Sequence, residues 1–170
     1  MIYLIGFMGT GKTTVSKILA KKLNAELTDT DEYIEEEKNM SIPDIFKIHG
    51  EDSFRKMETS ALKELSGMSF KIISCGGGIV LRKENIDIMK SSGMLFCLTA
   101  APSTIYERVK RSTNRPVLNG NMNVQFIEQK LNERAPFYAS ADAINISTDG
   151  KNPEDIANEI ISIYKKGVRS

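Results

Sequence analysis

Apolar residues along this 170-residue chain follow two periods that alternate from one end to the other. Short runs at Ile2-Tyr3-Leu4-Ile5, Phe70-Lys71-Ile72-Ile73-Ser74 and Met94-Leu95-Phe96-Cys97-Leu98 have the length and residue types of strands. The last is apolar throughout, as a parallel strand covered on both faces requires. Glu26 to Asp29 and Asp142 to Ile146 read as two weaker strands. Between the runs the spacing becomes helical. Val15, Ile18, Leu19 and Leu23 share one face, then Ile45, Phe46 and Ile48, then Phe54, Met57, Ala61, Leu62 and Leu65. Val124, Ile127 and Leu131 form another such face, and Ile156, Ile160 and Ile163 the last. Further helices are expected over 32–38, 83–91 and from Pro102 to about Arg108.

The boundaries carry their own signals. Asn24 offers a helix stop, Ser41-Ile42-Pro43-Asp44 a capped start with an early proline, and Asn152-Pro153 another capped start. Gly50 breaks the helical pattern, and Arg111 to Asn121 is polar, contains Gly and Pro, and reads as a mobile loop. Strand and helix alternate throughout, which predicts an α/β domain with a five-stranded parallel sheet flanked by helices. Right-handed crossovers then bring the carboxyl ends of the strands to one edge, where such sheets hold ligands.

Composition narrows the picture only slightly. The length suits one domain, and there is no repeat, low-complexity segment or linker. A net charge of +1 argues against wholesale attraction to nucleic acid or a membrane surface. Charge is uneven locally: residues 26–37 hold seven carboxylates and no basic residue, whereas Arg108, Lys110, Arg111 and Arg115 face only Glu107. Cys75 and Cys97 lie in or beside apolar runs, as small buried hydrophobes do. Nothing resembles a signal peptide, and no apolar run approaches the ~20 residues needed to cross a bilayer. The expectation is a soluble, cytoplasmic monomer whose partners are small molecules, with no nucleic acid or membrane among them.

The chemistry begins directly after the first strand. Gly6-Phe7-Met8-Gly9-Thr10-Gly11-Lys12-Thr13-Thr14 matches the phosphate-binding loop G-x-x-x-x-G-K-[ST], with a strand before it and an amphipathic helix after. Its glycines permit backbone angles that turn successive N–H groups inward around a polyphosphate, and the helix offers its N-terminus to the same charge. Lys12 places an ammonium on the outer phosphates, and the Thr13 hydroxyl takes one position on Mg²⁺. The segment from Gly9 and Thr10 through Gly11, Lys12 and Thr13 to Thr14 is thus the expected nucleotide-binding stretch, with ATP as co-substrate and Mg²⁺ as cofactor.

Three further groups belong to the same edge. Asp29 and Asp31 stand two apart, so on an extended strand end both could point to one side, while a D-x-D taken alone is more often a turn or helix cap. One would reach a metal through water while the other accepts a proton from a hydroxyl. Ser74 occupies the strand end where many phosphate-loop enzymes carry a metal-orienting acid, so Asp29 takes the metal task beside Thr13. Gly76-Gly77-Gly78 costs backbone entropy, which suggests close approach of a ligand, although a flexible turn reads the same way. Arg55 lies beside its helix's apolar stripe with Glu58 at i+3, and Arg134 lies near the end of the long helix; taken singly, either is an ordinary surface ion pair. His49, the lone histidine, has no catalytic role.

In sequence, these motifs resemble the shikimate kinase family. The resemblance rests on the phosphate loop, Asp29-Thr30-Asp31, Ser41-Ile42-x-x-Ile45-Phe46, Gly50-Glu51-x-x-Phe54-Arg55-x-x-Glu58, Gly76-Gly77-Gly78, Arg115-Pro116 and Glu133-Arg134-x-x-x-Tyr138. It spans Gly6 to Tyr138, and the order of the set is more specific than any member. It implies a P-loop NTPase fold of the nucleoside-monophosphate-kinase-like type that phosphorylates the 3-hydroxyl of shikimate with ATP and Mg²⁺. On that resemblance Asp31 binds the substrate hydroxyls and acts as base. Arg55 and Arg134 hold the carboxylate, and Gly76, Gly77 and Gly78 line the pocket. Residues 31–66 form the substrate-binding segment and 111–121 a lid, with Arg115 closing onto the phosphates and Arg111 near the adenine. Arg111 and Arg115 stand closer together than the family's two lid arginines, which bears on the adenine contact more than on the phosphate contact.

Two other functions use the same loop. A kinase of another small hydroxyl compound, such as gluconate or a nucleoside monophosphate, would also use two arginines around an anion. A nucleotide-binding switch without turnover would need no placed base, so Asp31 is the feature that separates it from an enzyme.

Overall fold

The computed structural model describes residues 1–110 and 123–168. In chain order its elements are β1 (Ile2–Ile5), α1 (Lys12–Leu23), β2 (Glu26–Asp29), α2 (Thr30–Lys38), α3 (Ile42–Ser66), β3 (Lys71–Ser74), a 3₁₀ turn (Ile79–Leu81), α4 (Lys83–Ser92), β4 (Met94–Thr99), α5 (Pro102–Lys110), α6 (Val124–Ser140), β5 (Ile144–Ser147) and α7 (Pro153–Gly167). The strands form one parallel sheet in the order β2-β3-β1-β4-β5.

Period-two alternation sorts the strand side chains between two apolar layers. Tyr3, Ile5, Ile73, Leu95 and Cys97 face Leu62 and Leu65 of α3 and Ile86 and Met89 of α4. Ile2, Leu4, Ile72, Phe96, Leu98 and Ile146 face Val15 and Leu19 of α1 and Ile156, Ala157 and Ile160 of α7. All four residues of β1 are fully buried, which at about 1.5–3 kcal/mol per large apolar side chain makes this strand the stabilising centre of the sheet. The chain leaves β1 toward the β2 edge and leaves β3 toward the β4 edge. The crevice of such a sheet therefore opens at the carboxyl end of β1, where the glycine loop starts.

Residues 31–66 carry a small core of their own. Ile34 of α2 and Ile45, Phe54 and Ala61 of α3 are buried together, with Phe46 and Met57 packed against them. Gly50 adopts φ 78°, ψ 168° inside α3, so the expected break appears as a kink between two helical halves rather than as a loop. Of the two forms open to the Asp29-Thr30-Asp31 corner, it takes the helix cap and not the extended end. The strand stops at Asp29, whose carboxylate caps α2 by accepting the Asp31 N–H, so Asp31 is already helical and the two carboxylates do not share an extended face.

Candidate active site

The glycine loop forms because three of its residues need angles that side chains resist: Gly6, Gly9 and Gly11 have φ 141°, 76° and 100°. A Cβ on Gly6 would also strike the Leu98 carbonyl, and one on Gly9 would lie 2.8 Å from Val109 Cγ2, so the loop is packed as well as bent. Helices α2, α3, α6 and α7 each have a side chain capping the first turn, through Asp29, Ser41, Asn123 and Asn152. Helix α1 follows Gly11 with no side-chain cap, which leaves its N-terminal amides to an anion. The Lys12 ammonium donates to the Gly6 carbonyl at 2.7 Å and the Phe7 carbonyl at 3.1 Å, over the mouth of the loop. The buried Thr10 hydroxyl donates to Phe7 O at 2.7 Å, a bond within the loop itself. Thr13 and Thr14 lie exposed on the first turn of α1.

Arg108 was not singled out from sequence as a loop contact, yet it braces the loop. Its Nη1 donates to Gly9 O and Thr10 O at 3.3 and 3.4 Å, and the same guanidinium donates to the Thr148 hydroxyl and carbonyl at 2.9 and 3.0 Å. The available signal was position, because Arg108 follows the buried Ile105 by three residues on α5.

Each member of the triple glycine faces one of the predicted charged groups. A Cβ on Gly76 would collide with the Asp31 carboxylate, and one on Gly78 with the Arg55 guanidinium. A Cβ on Gly77 would lie 3.5 Å from Arg134 Nη1 and 3.7 Å from both Gly6 O and Met8 N, which sets this run directly against the phosphate loop. The Gly77 carbonyl accepts from Arg134 Nη1 at 3.2 Å and from the Tyr138 hydroxyl at 2.9 Å. Arg134 also stacks over the Phe7 ring at 5.4 Å. Gly76 N–H donates to the Thr30 hydroxyl at 2.9 Å, and the Ser74 hydroxyl donates to Asp29 Oδ2 at 2.8 Å. Ser74, at a strand end that carries no acid of its own, therefore orients the acid on the neighbouring strand.

Arg55 is held by two carboxylates and two aromatic rings. Its guanidinium donates to Glu58 at 2.7 Å and Glu51 at 2.8 Å and lies over the Phe54 and Phe46 rings at 5.3 and 5.9 Å. Glu58 is fully buried. Burial pushes its carboxyl up to about 7, against the pull of Arg55 and with help from Asp31 and Glu51. Asp31 is raised to about 6, first by burial and then by Asp29, while Lys12 and Arg55 oppose the shift. Among the described residues, two buried side-chain oxygens lack a donor, Asp31 Oδ1 and Glu58 Oε1. Asp31 Oδ1 lies against Gly76 and Glu58 carries the Arg55 guanidinium, and both oxygens are acceptors that a donor would satisfy.

Asp29 and Thr13 supply hard oxygen donors, the type Mg²⁺ takes. The Asp29 carboxylate is held in place by the Asp31 N–H and the Ser74 hydroxyl, with lone pairs remaining on each oxygen. Among the described residues, no three or more His, Cys, Asp or Glu side chains cluster to hold an ion by themselves. His49 is exposed, and Cys75 and Cys97 are buried free thiols. Arg111 and Arg115, and the lid expected over 111–121, lie outside the described residues. No helix among the described residues is long and apolar enough to cross a membrane.

The family model for shikimate kinase matches residues 8–165. The chain is 44% identical over 165 residues to the shikimate kinase of Thermodesulfovibrio yellowstonii, covering 97% of this chain and 95% of that one. It is 42% identical to the shikimate kinase of Caldicellulosiruptor bescii, covering 96% and 94% of the two chains. Its structure superposes with a TM-score of 0.89 on the shikimate kinase of Acinetobacter baumannii in complex with shikimate, at 33% identity and covering 98% and 93% of the two chains. With a family model matching nearly its whole length and relatives above 40% identical across almost all of both chains, the chain belongs to the shikimate kinase family.

Proposed function

We propose that this chain transfers the terminal phosphoryl group of ATP to the 3-hydroxyl of shikimate, with Asp31 receiving the hydroxyl proton. The observation that carries this reading is Asp31 Oδ1, a buried acceptor with no donor, packed against Gly76 with Lys12 of the phosphate loop and Arg55 acting on its charge. A substrate hydroxyl satisfies that oxygen, and a base there lies beside the phosphoryl group it must assist. Arg55 and Arg134, which lie against Gly78 and Gly77, bind the carboxylate, since guanidinium groups suit a carboxylate through paired charge-assisted bonds. The pocket glycines Gly76, Gly77 and Gly78 make room for the ring.

Gly9 to Thr14 hold the nucleotide phosphates, and Lys12 neutralises charge on the group in transfer. Thr13 and Asp29 would hold Mg²⁺, the hydroxyl directly and the carboxylate through water, and the ion would neutralise charge on the outer phosphates. Residues 31–66 serve as the substrate-binding segment and 111–121 as the lid, with Arg115 acting on the phosphates and Arg111 on the adenine side. The protein works as a cytoplasmic monomer in this reading.

A coupled assay that offers shikimate, gluconate and AMP in turn with ATP and Mg²⁺ tests the assignment. Turnover of shikimate alone is expected. Faster turnover of gluconate or AMP, or slow nucleotide hydrolysis indifferent to every acid, would replace it.

Two predictions divide the site. Arg55→Ala and Arg134→Ala are each expected to raise the KM for shikimate by roughly 10- to 100-fold, the equivalent of about 1.5–3 kcal/mol for one charge-assisted contact, and to leave the KM for ATP nearly unchanged. A fall in ATP affinity with shikimate affinity intact would move these arginines to the nucleotide side. For the lid, Arg115→Ala is expected to lower kcat more than Arg111→Ala does, because a phosphate contact strengthens in the transition state and an adenine contact does not. Steady-state kinetics of both variants decide it, and the reverse order would sink the assignment.

A further inference from the structure

The parallel ladder between β2 and β3 ends at the pair Asp29 and Ser74. Beyond it the two chains part. Cys75 turns its N–H to the Leu4 carbonyl at 2.9 Å and so follows β1, while the chain after Asp29 winds into α2. The two halves of the substrate pocket are carried on these diverging chains: Asp31 on one, and the glycine run that faces Asp31, Arg134 and Arg55 on the other. The Thr30 hydroxyl crosses this gap, accepting the Gly76 N–H at 2.9 Å. Thr30 is fully buried at the first turn of α2, and Gly76 is buried beside it. The Gly76 carbonyl is engaged on its other side by the Ile79 N–H at 3.1 Å, which closes the 3₁₀ turn and carries the constraint on to Gly77 and Gly78.

We infer that Thr30 is a positioning residue for catalysis: its hydroxyl, through the Gly76 amide, sets the separation between the Asp31 carboxylate and the glycine run that floors the shikimate pocket. Three facts support this over a merely local staple. The bond joins the residue directly before the base to a glycine whose Cβ would collide with that base's carboxylate, so a small slide of the run alters the space at the reacting oxygen. Gly76 is absent from the residues with positive φ, so close approach and not backbone angle is what requires glycine there. The next residue, Gly77, is tied to Arg134 and Tyr138 on α6, so displacement at Gly76 reaches a carboxylate-binding arginine as well. Thr30 touches neither reacting group and acts through Gly76 alone.

The inference rests on the shikimate kinase reading of the site, and its test separates the two. Thr30→Val keeps shape and burial and removes the acceptor, while Thr30→Ser keeps the acceptor and removes the methyl. With the full chain, ATP, Mg²⁺ and shikimate, Thr30→Val is expected to lose about 10- to 100-fold in kcat/KM for shikimate, the scale of a misplaced catalytic constellation. The loss falls on both kcat and the KM for shikimate, and the KM for ATP stays within about twofold. Thr30→Ser is expected to stay near wild type. Hydrogen exchange at the Gly76 amide needs no substrate and reads the bond itself: slow in wild type and Thr30→Ser, fast in Thr30→Val. Unchanged shikimate kinetics in Thr30→Val, a Thr30→Ser variant as impaired as Thr30→Val, or equal loss on the ATP side would each overturn the inference. Should Thr30→Val not fold, Thr30→Ser decides through the same two readouts, with lost protection or lost turnover counting against it. A wild-type protein that does not phosphorylate shikimate would instead sink the functional reading, and the exchange of Gly76 would still judge the bond.

Discussion

Lys12→Ala is expected to lower kcat by at least about 10²- to 10³-fold, the scale seen when one preorganised group facing transition-state charge is removed. In phosphoryl transfer little covalent work falls to the protein, so positioning and electrostatics supply nearly all the acceleration, and Lys12 is the cation that the glycine loop delivers. Here the ammonium rests on Gly6 O and Phe7 O, at 2.7 and 3.1 Å. These bonds keep the side chain extended over the loop, ready to exchange carbonyl partners for phosphate oxygens at small cost in rotamer freedom. Alanine also removes these two contacts to the loop carbonyls. A thermal melt and ATP binding of the variant separate the causes: intact folding with residual nucleotide affinity and lost turnover places the defect in the transition state. A variant within tenfold of wild-type kcat would remove this loop from catalysis.

How far the sequence could be read differs between the sheet and the pocket. β1 and β4 were legible because strands buried on both faces leave unbroken apolar runs, and α1 because Val15 and Leu19 fall on a face that is buried. The phosphate loop was legible because its chemistry requires fixed residue types at fixed spacing. The acid corner was less so. A D-x-D pattern is compatible with an extended end or a helix cap, and the cap won because Asp29 satisfies the Asp31 N–H at 3.0 Å. The roles of Arg55 and Arg134 depended on family resemblance, since i,i+3 spacing to Glu58 says nothing about what lies opposite. What lies opposite is Gly78, across a long stretch of chain, and only the fold makes that contact. Arg108, Ser74 and Tyr138 act through bonds to backbone carbonyls or to another residue's carboxylate. Such bonds leave no spacing rule behind them, because any backbone carbonyl accepts equally well.

Asp31→Asn is expected to leave the fold and shikimate binding largely in place and to cut kcat by about 10² to 10⁴, the usual share of a general base. Asparagine nearly matches aspartate in volume, which matters against Gly76, where there is no slack for a larger group. Its amide oxygen still accepts a hydrogen bond from the substrate hydroxyl, so orientation survives, but it takes no proton. The carboxylate it replaces is held in a buried position beside Asp29, an arrangement that costs folding stability when the group is ionised and makes it a stronger base than an exposed acid. The variant should therefore melt no lower than wild type, which separates lost chemistry from lost structure. Shikimate affinity measured without nucleotide, set beside kcat, completes the test. If kcat falls severely while affinity and melting temperature hold, Asp31 is the base. If kcat is nearly unchanged, the attacking oxygen keeps its proton until late in the transfer, as a loose, metaphosphate-like transition state permits. Asp31 would then serve only to aim the hydroxyl, and its buried, donor-free oxygen would be a binding contact and nothing more.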